Sequence, residues 1–102
     1  MPTMIVLVNL KNGVTPEEYE RWLEERYVPA VLELPSVGEW RGHRVAGLIE
    51  AGGEPPYQYI VSVEIDDPEQ FVRDMESEQV HTLLGELGHY AEVTQLMTER
   101  FV

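Results

Sequence analysis

Residues 3–10, T-M-I-V-L-V-N-L, are apolar on both alternating faces. Successive side chains of a strand point to opposite sides. Met4, Val6, Val8 and Leu10 therefore share one face, and Ile5 and Leu7, with Asn9, share the other. A strand that is apolar on both faces has to be covered on both. Whatever fold the chain adopts must bury this segment from two directions.

The segments that follow supply the first cover. Lys11-Asn12-Gly13 has turn chemistry. Thr15 is placed to cap a helix, with Pro16 at its first position and Glu18 completing a capping box. Tyr19, Trp22, Leu23, Tyr27, Ala30, Val31 and Leu34 keep helical spacing, while Glu17, Glu20, Arg21 and Glu24 fall on the other side. Pro29 lacks the amide hydrogen for an i−4 bond, so the helix is expected to kink or restart near Tyr27 and Val28. Pro35 is expected to end it.

A second strand is predicted over residues 37–49, interrupted by Gly38, Gly42 and Gly47 as sites of bulges or close approach. Residues 50–56, E-A-G-G-E-P-P, form a loop. Tyr57, Tyr59, Val61, Val63 and Ile65 alternate against Gln58, Ser62 and Glu64, which predicts a third strand. Asp67 caps a further helix whose apolar side is Phe71, Val72 and Met75, with Pro68 first and Gln70 three beyond the cap. Ser77 recaps the chain. Val80, Leu83, Leu84 and Leu87 then follow helical spacing, and Gly88 is expected to close that helix. Residues 93–102 form the last strand.

The order is β-α-β-β-α-β, a single domain over residues 1–102. It predicts a ferredoxin-like α+β fold, with a four-stranded antiparallel sheet and helices on one face. Ile5, Leu7 and their neighbours would then leave a bare apolar face larger than a monomer usually carries. A homodimer formed through that sheet face is expected.

Composition narrows the partners. With 19 Asp+Glu against 7 Lys+Arg the formal net charge is −12. Such a field repels phosphate backbones and anionic lipid, so neither nucleic acid nor a membrane surface is an expected partner. The chain has no cysteine, hence no disulfide framework or thiolate chemistry. No signal-like segment and no apolar run of roughly 20 residues is present, so a cytoplasmic protein is expected.

The stretch Y-E-R-W-L-E-E-R-Y-V-P-A-V-L-E-L-P-S-V (residues 19–37), followed by W-R-G-H-R-V-A-G-L, resembles the dimeric α/β-barrel superfamily. Within it the pattern is most similar to the REDY-like (HapK-type) family, with the EthD-like family next. The resemblance covers nearly the whole chain. It implies a homodimer with facing sheets and a small-molecule pocket between helices and sheet in each subunit. REDY-like proteins are associated with pyrrole and indole natural-product pathways, and relatives include polyketide cyclases and cofactor-free monooxygenases. EthD-like proteins often place His two residues before the helix-breaking proline, where this chain has Tyr27. Cyclase-like members place His at the position of Val80, one residue before His81.

His81 and His43 are the candidate proton-transfer residues, since histidine alone titrates near neutrality without perturbation. His81 flanks the Val80, Leu83 and Leu84 stripe at the start of its helix. It either edges into a pocket or stays a helix-surface histidine. His43 alternates with Glu39, Arg41 and Val45: turned inward it walls a pocket, turned outward it is solvated. His89 is read as a surface cap. The aromatics Tyr19, Trp22, Tyr27, Trp40, Tyr57, Tyr59 and Phe71 suit either ordinary core packing or a pocket for a flat ligand. Trp22 is the expected apolar wall, Tyr27 and Arg44 the orienting groups, and Tyr19, Trp40, Tyr59 and Asn9 further ligand contacts. The histidine spacing offers no metal motif, and no Gly-rich phosphate loop or nucleophile elbow occurs, so no cofactor or metal is expected. The expected function is cofactor-independent cyclisation, dehydration or isomerisation of an aromatic or polyketide-like intermediate. The alternatives are a cofactor-free monooxygenase and a non-catalytic dimer that sequesters a reactive intermediate.

Overall fold

The computed structural model describes residues 2–50 and 52–102. Ala51, in the loop expected over residues 50–56, lies outside the described residues. Strand β1 (Pro2–Leu10) leads into helix α1 (Pro16–Trp22), a π-helical turn (Leu23–Tyr27) and helix α2 (Val28–Leu32). Strands β2 (Val37–Arg44) and β3 (Tyr59–Ile65) follow, then helices α3 (Pro68–Met75) and α4 (Glu78–Tyr90) and strand β4 (Ala91–Glu99). The four strands form one sheet in the order β2-β3-β1-β4, every neighbouring pair antiparallel. This is the ferredoxin-like arrangement that the element order predicts.

Local chemistry sets the helix starts. Thr15 Oγ1 accepts from the Glu18 amide at 3.2 Å, Asp67 Oδ1 from Gln70 at 3.1 Å and Ser77 Oγ from Val80 at 3.2 Å. Each satisfies an amide that the first helical turn leaves without a partner. Gly13, at φ +88°, supplies the left-handed residue that turns β1 toward α1. The break caused by Pro29 takes the form of the π turn, in which the Val28 amide bonds back to the Leu23 carbonyl. The wider turn absorbs a proline whose ring would otherwise press on the preceding turn.

The core lies between the helices and one sheet face. Val6, Val8, Val61, Val63 and Ile65 meet Tyr19, Leu23, Val31, Val80 and Leu87 there. On the other face Ile5 pairs with Leu96 and Leu7 with Ile60. Ile60 and Leu96 are exposed, because no element of this chain lies over them.

Several expected boundaries shift. Helix α2 stops at Leu32, before Pro35, and β2 ends at Arg44 rather than at residue 49. Strand β3 begins at Tyr59, since Gln58 is held by hydrogen bonds to Val8 and Asn9 instead. Helix α4 runs through Gly88 to Tyr90, so His89 is an exposed last-turn residue rather than a cap beyond the helix. Tyr90 stacks on Trp22, and that tertiary contact overrides the local tendency of glycine to stop a helix. Val72, expected on the apolar side of α3, is exposed, whereas Phe71 and Met75 pack on the core.

Candidate functional site

Between the helices and the sheet lies a narrow apolar cavity of about 50 Å³. Val6 and Val61 floor it, Tyr19, Leu23 and Tyr27 wall it from the first helical arm, and Leu83 closes it from α4. Of the lining residues only Tyr19, Tyr27, Trp40 and Gln95 carry a side-chain nitrogen or oxygen. A mostly apolar lining with a few polar side chains has the composition usual for a small-molecule site, and the volume usual for one is reached by the adjoining cleft.

Aromatic rings frame it. Trp22 stacks on Tyr90 (4.8 Å between centroids, 23° between planes) and lies 5.0 Å from Tyr27. Tyr19 stands 5.0 Å from Tyr59. The Trp22 indole does not line the cavity. It supports Tyr27 from behind and donates Nε1–H to Glu86 Oε1 at 3.1 Å. Arg26 grips the same carboxylate through Nε and Nη2, both at 2.6 Å, tying the π turn to α4. Hydrogen bonds from Arg26 and then from Trp22 hold Glu86 down at about 2.

Beside the cavity runs a much roomier cleft of about 750 Å³ between the first helical arm and β2. Glu20 is its centre. Its Oε2 accepts from Arg44 Nε at 2.8 Å and from the Tyr59 hydroxyl at 2.6 Å, and Arg44 Nη2 reaches Oε1. The Arg44 hydrogen bonds and then the Tyr59 bond bring Glu20 down from 4.5 to about 2. Burial first, and the Glu20 carboxylate second, push Tyr59 up to about 12. Burial likewise raises Tyr19 and Tyr27. A carboxylate with a lowered folded value stabilises the fold above its unfolded value. That contribution goes as acid protonates it. Stability is therefore expected to fall between pH 4.5 and about 2, and Glu20→Gln is expected to flatten part of that slope in a series of thermal melts.

The sequence profile of the REDY-like protein HapK family matches residues 2–101. The chain belongs to that family. Its fold overlays that of HapK from Hahella chejuensis at TM-score 0.81 and 27% identity, covering 99% of this chain and 93% of that one. It also matches an ethyl tert-butyl ether (EthD) family protein from Bacillus halodurans at TM-score 0.77 and 14% identity, with 99% and 100% covered. SnoaB, a cofactor-independent oxygenase from Streptomyces nogalater, matches at TM-score 0.76 and 14% identity, with 99% and 94% covered. Among curated proteins no relative is found.

In this HapK-family chain the predicted site residues separate into groups. Tyr19, Tyr27 and Trp40 line the cavity, Arg44, Tyr59 and Trp40 line the cleft, and Trp22 lines neither. Asn9 faces elsewhere: its side chain donates to the Pro56 carbonyl at 2.9 Å and accepts from the Gln58 amide at 3.1 Å, pinning the loop before β3. His43 pairs with Ile60 on the outer sheet face and touches only the rim of the cleft. His81 is an exposed residue in the first turn of α4, next to cavity-lining Val80. The structure does not bring the two histidines together, and neither lines the cavity. Among the described residues no three His, Asp or Glu side chains stand together as a metal site, and no helix is long and apolar enough to cross a membrane. Sequence reasoning passed over Glu20, Glu86 and Tyr90. Tyr90 was within reach, three residues beyond Leu87 on the same helical face.

Proposed function

We propose that the chain binds a small, flat, mainly apolar molecule in the helix–sheet cavity and performs cofactor-independent proton-transfer chemistry on it. Cyclisation, dehydration or isomerisation of an aromatic or polyketide-like intermediate of natural-product metabolism fits such a site. The observation that carries this reading is the cavity itself, apolar over most of its wall and with Tyr19, Tyr27 and Trp40 among its lining residues. His43 at the cleft rim and His81 beside Val80 are the proposed proton carriers, with Arg44 and Tyr27 orienting the ligand. A positioned acid or base contributes roughly 10²–10⁴-fold to rate. The double variant His43→Ala/His81→Ala is expected to keep the fold and lose at least about 100-fold in turnover of the accepted substrate. Full activity in that variant sinks the histidine assignment.

A second reading, a non-catalytic protein that sequesters a reactive intermediate, is favoured by the absence of both histidines from the cavity lining. It predicts saturable ligand binding without product, unchanged in either histidine variant. Oxygen uptake with a reduced aromatic substrate marks the third reading, a cofactor-free monooxygenase, the activity class named for SnoaB.

The subunit is proposed to pair through its uncovered sheet face. Ile5, Leu7, Ile60 and Leu96 adjoin one another there, and at roughly 25 cal/mol per Å² the burial of such a face is strongly favourable. Sedimentation at micromolar concentration is expected to give a dimer, and Leu7→Glu a monomer. A wild-type monomer under those conditions refutes the pairing.

A further inference from the structure

We propose that the cavity and the cleft are two halves of one binding site, divided by the Trp40 indole, which takes a flat apolar molecule carrying an uncharged or protonated hydrogen-bond donor at one end. The proposal rests on the binding reading above and adds to it the route into the cavity and the class of ligand.

The division is visible in the walls. Leu23 and Trp40 line both spaces, so the two share a wall. Trp40 and Gly42 stand on the helix-facing side of β2, opposite Val63 and Val61. A methyl group on Gly42 would sit 2.8 Å and 2.9 Å from Cζ3 and Cη2 of the indole. The ring therefore lies along the strand, over the bare glycine, and occupies the boundary between cavity and cleft. Trp40 is only half-buried, so turning its ring toward solvent disturbs little of the core. With the ring displaced, the apolar chamber opens directly onto Glu20, Arg44 and Tyr59. The polar end is close to the chamber, because the Tyr59 ring lies 5.0 Å from that of cavity-lining Tyr19.

Charge at that end selects the ligand. The cleft is faced by the carboxylates of Glu20 and Glu24, by the Arg44 guanidinium and, at its rim, by His43. Arg44 already spends Nε and Nη2 on Glu20. An incoming anion would meet two carboxylates and a cation whose fork is occupied, on a chain of net charge −12. A phenol, amide or ammonium group instead finds the Glu24 carboxylate and the remaining lone pair of Glu20 Oε1 to accept its hydrogen, and bonds to an ionised acceptor are the stronger kind.

The test compares two probes of one shape at pH 7, 2-naphthol and 2-naphthoate, by titration and stopped-flow mixing that follow probe fluorescence. Wild type is expected to bind 2-naphthol at least tenfold more tightly than 2-naphthoate, and Glu20→Gln to shrink that ratio severalfold. Trp40→Ala is expected to speed 2-naphthol association severalfold. Gly42→Val, which pushes the indole off the strand while keeping it, is expected to do the same and to red-shift tryptophan emission. Trp40→Phe serves if either of these variants misfolds. Equal affinity for the two probes, or association rates unmoved by every Trp40 and Gly42 variant, overturns this proposal while leaving the binding function intact. If neither wild type nor Trp40→Ala binds either probe, the binding reading falls with it.

Discussion

Replacing Tyr19 by alanine is expected to cost about 3–5 kcal/mol, the usual loss when a buried aromatic side chain is removed from a core. Tyr19 is 1% exposed and is among the largest fully buried side chains. Its ring centroid lies 6.4 Å from that of Trp22 and 5.0 Å from that of Tyr59. The adjoining cavity makes collapse around the lost ring difficult, so the cost should sit near the top of that range. For a domain of this size the loss corresponds to a fall in melting temperature on the order of 15–30 °C. Circular dichroism melts check it. Tyr19→Phe is the control, expected within about 1 kcal/mol of wild type because ring and volume survive. A Tyr19→Ala protein melting within about 5 °C of wild type would show that the first helical arm is not anchored as described.

The second large effect is expected at Asp74. Its carboxylate accepts from the Ser36 hydroxyl at 2.6 Å, the Ser36 amide at 3.3 Å and Gln70 Nε2 at 2.8 Å. Ser36 is fully buried, so Asp74→Ala leaves two donors there without a partner. Each such orphan costs about 1–3 kcal/mol, which puts the variant roughly 2–6 kcal/mol below wild type in chemical denaturation. Burial works to raise the Asp74 pKa, but the bonds from Ser36 and Gln70 outweigh it and leave the group below its ordinary 3.8. The sign follows from that lowering. The contribution is complete above the unfolded value and disappears as pH falls through the lower folded one. Asp74→Asn keeps one acceptor oxygen and should lose this acid dependence, a result that a pH series of denaturation midpoints reads directly.

The parts of the fold legible in the sequence are those determined by neighbouring residues. Thr15 with Pro16, Asp67 with Pro68, and Ser77 each mark a helix start because the capping bond spans three residues. Two-residue alternation placed Tyr59, Val61, Val63 and Ile65 on one face, and all four are buried. Legibility stopped where partners are distant. Glu20 and Glu86 looked like two more solvated carboxylates among 19 acidic residues, yet Arg44 lies 24 residues from the first and Arg26 60 residues from the second. Gly88 read locally as a helix end, and only the Trp22–Tyr90 stack explains why α4 continues. The strand pattern at His43 was compatible with either face. Its pairing with Ile60 places it outside the helix–sheet layer.

The π turn at Leu23–Tyr27 also bears on how the length of this arm can vary. In a regular α-helix, at about 100° per residue, side chains five apart point well away from each other, whereas those four apart are neighbours. Here Trp22 and Tyr27, five apart, have ring centroids 5.0 Å from one another, so the turn carries one surplus residue without turning the downstream face away. Loss of one residue from this turn would leave an ordinary helix in which the Trp22 and Tyr27 rings still meet and Val31 still faces the core. The same loss elsewhere in the arm would rotate everything after it by about 100°. The first helical arm can therefore change length at one place without changing which side chains it presents. That place lies on the wall of the helix–sheet cavity.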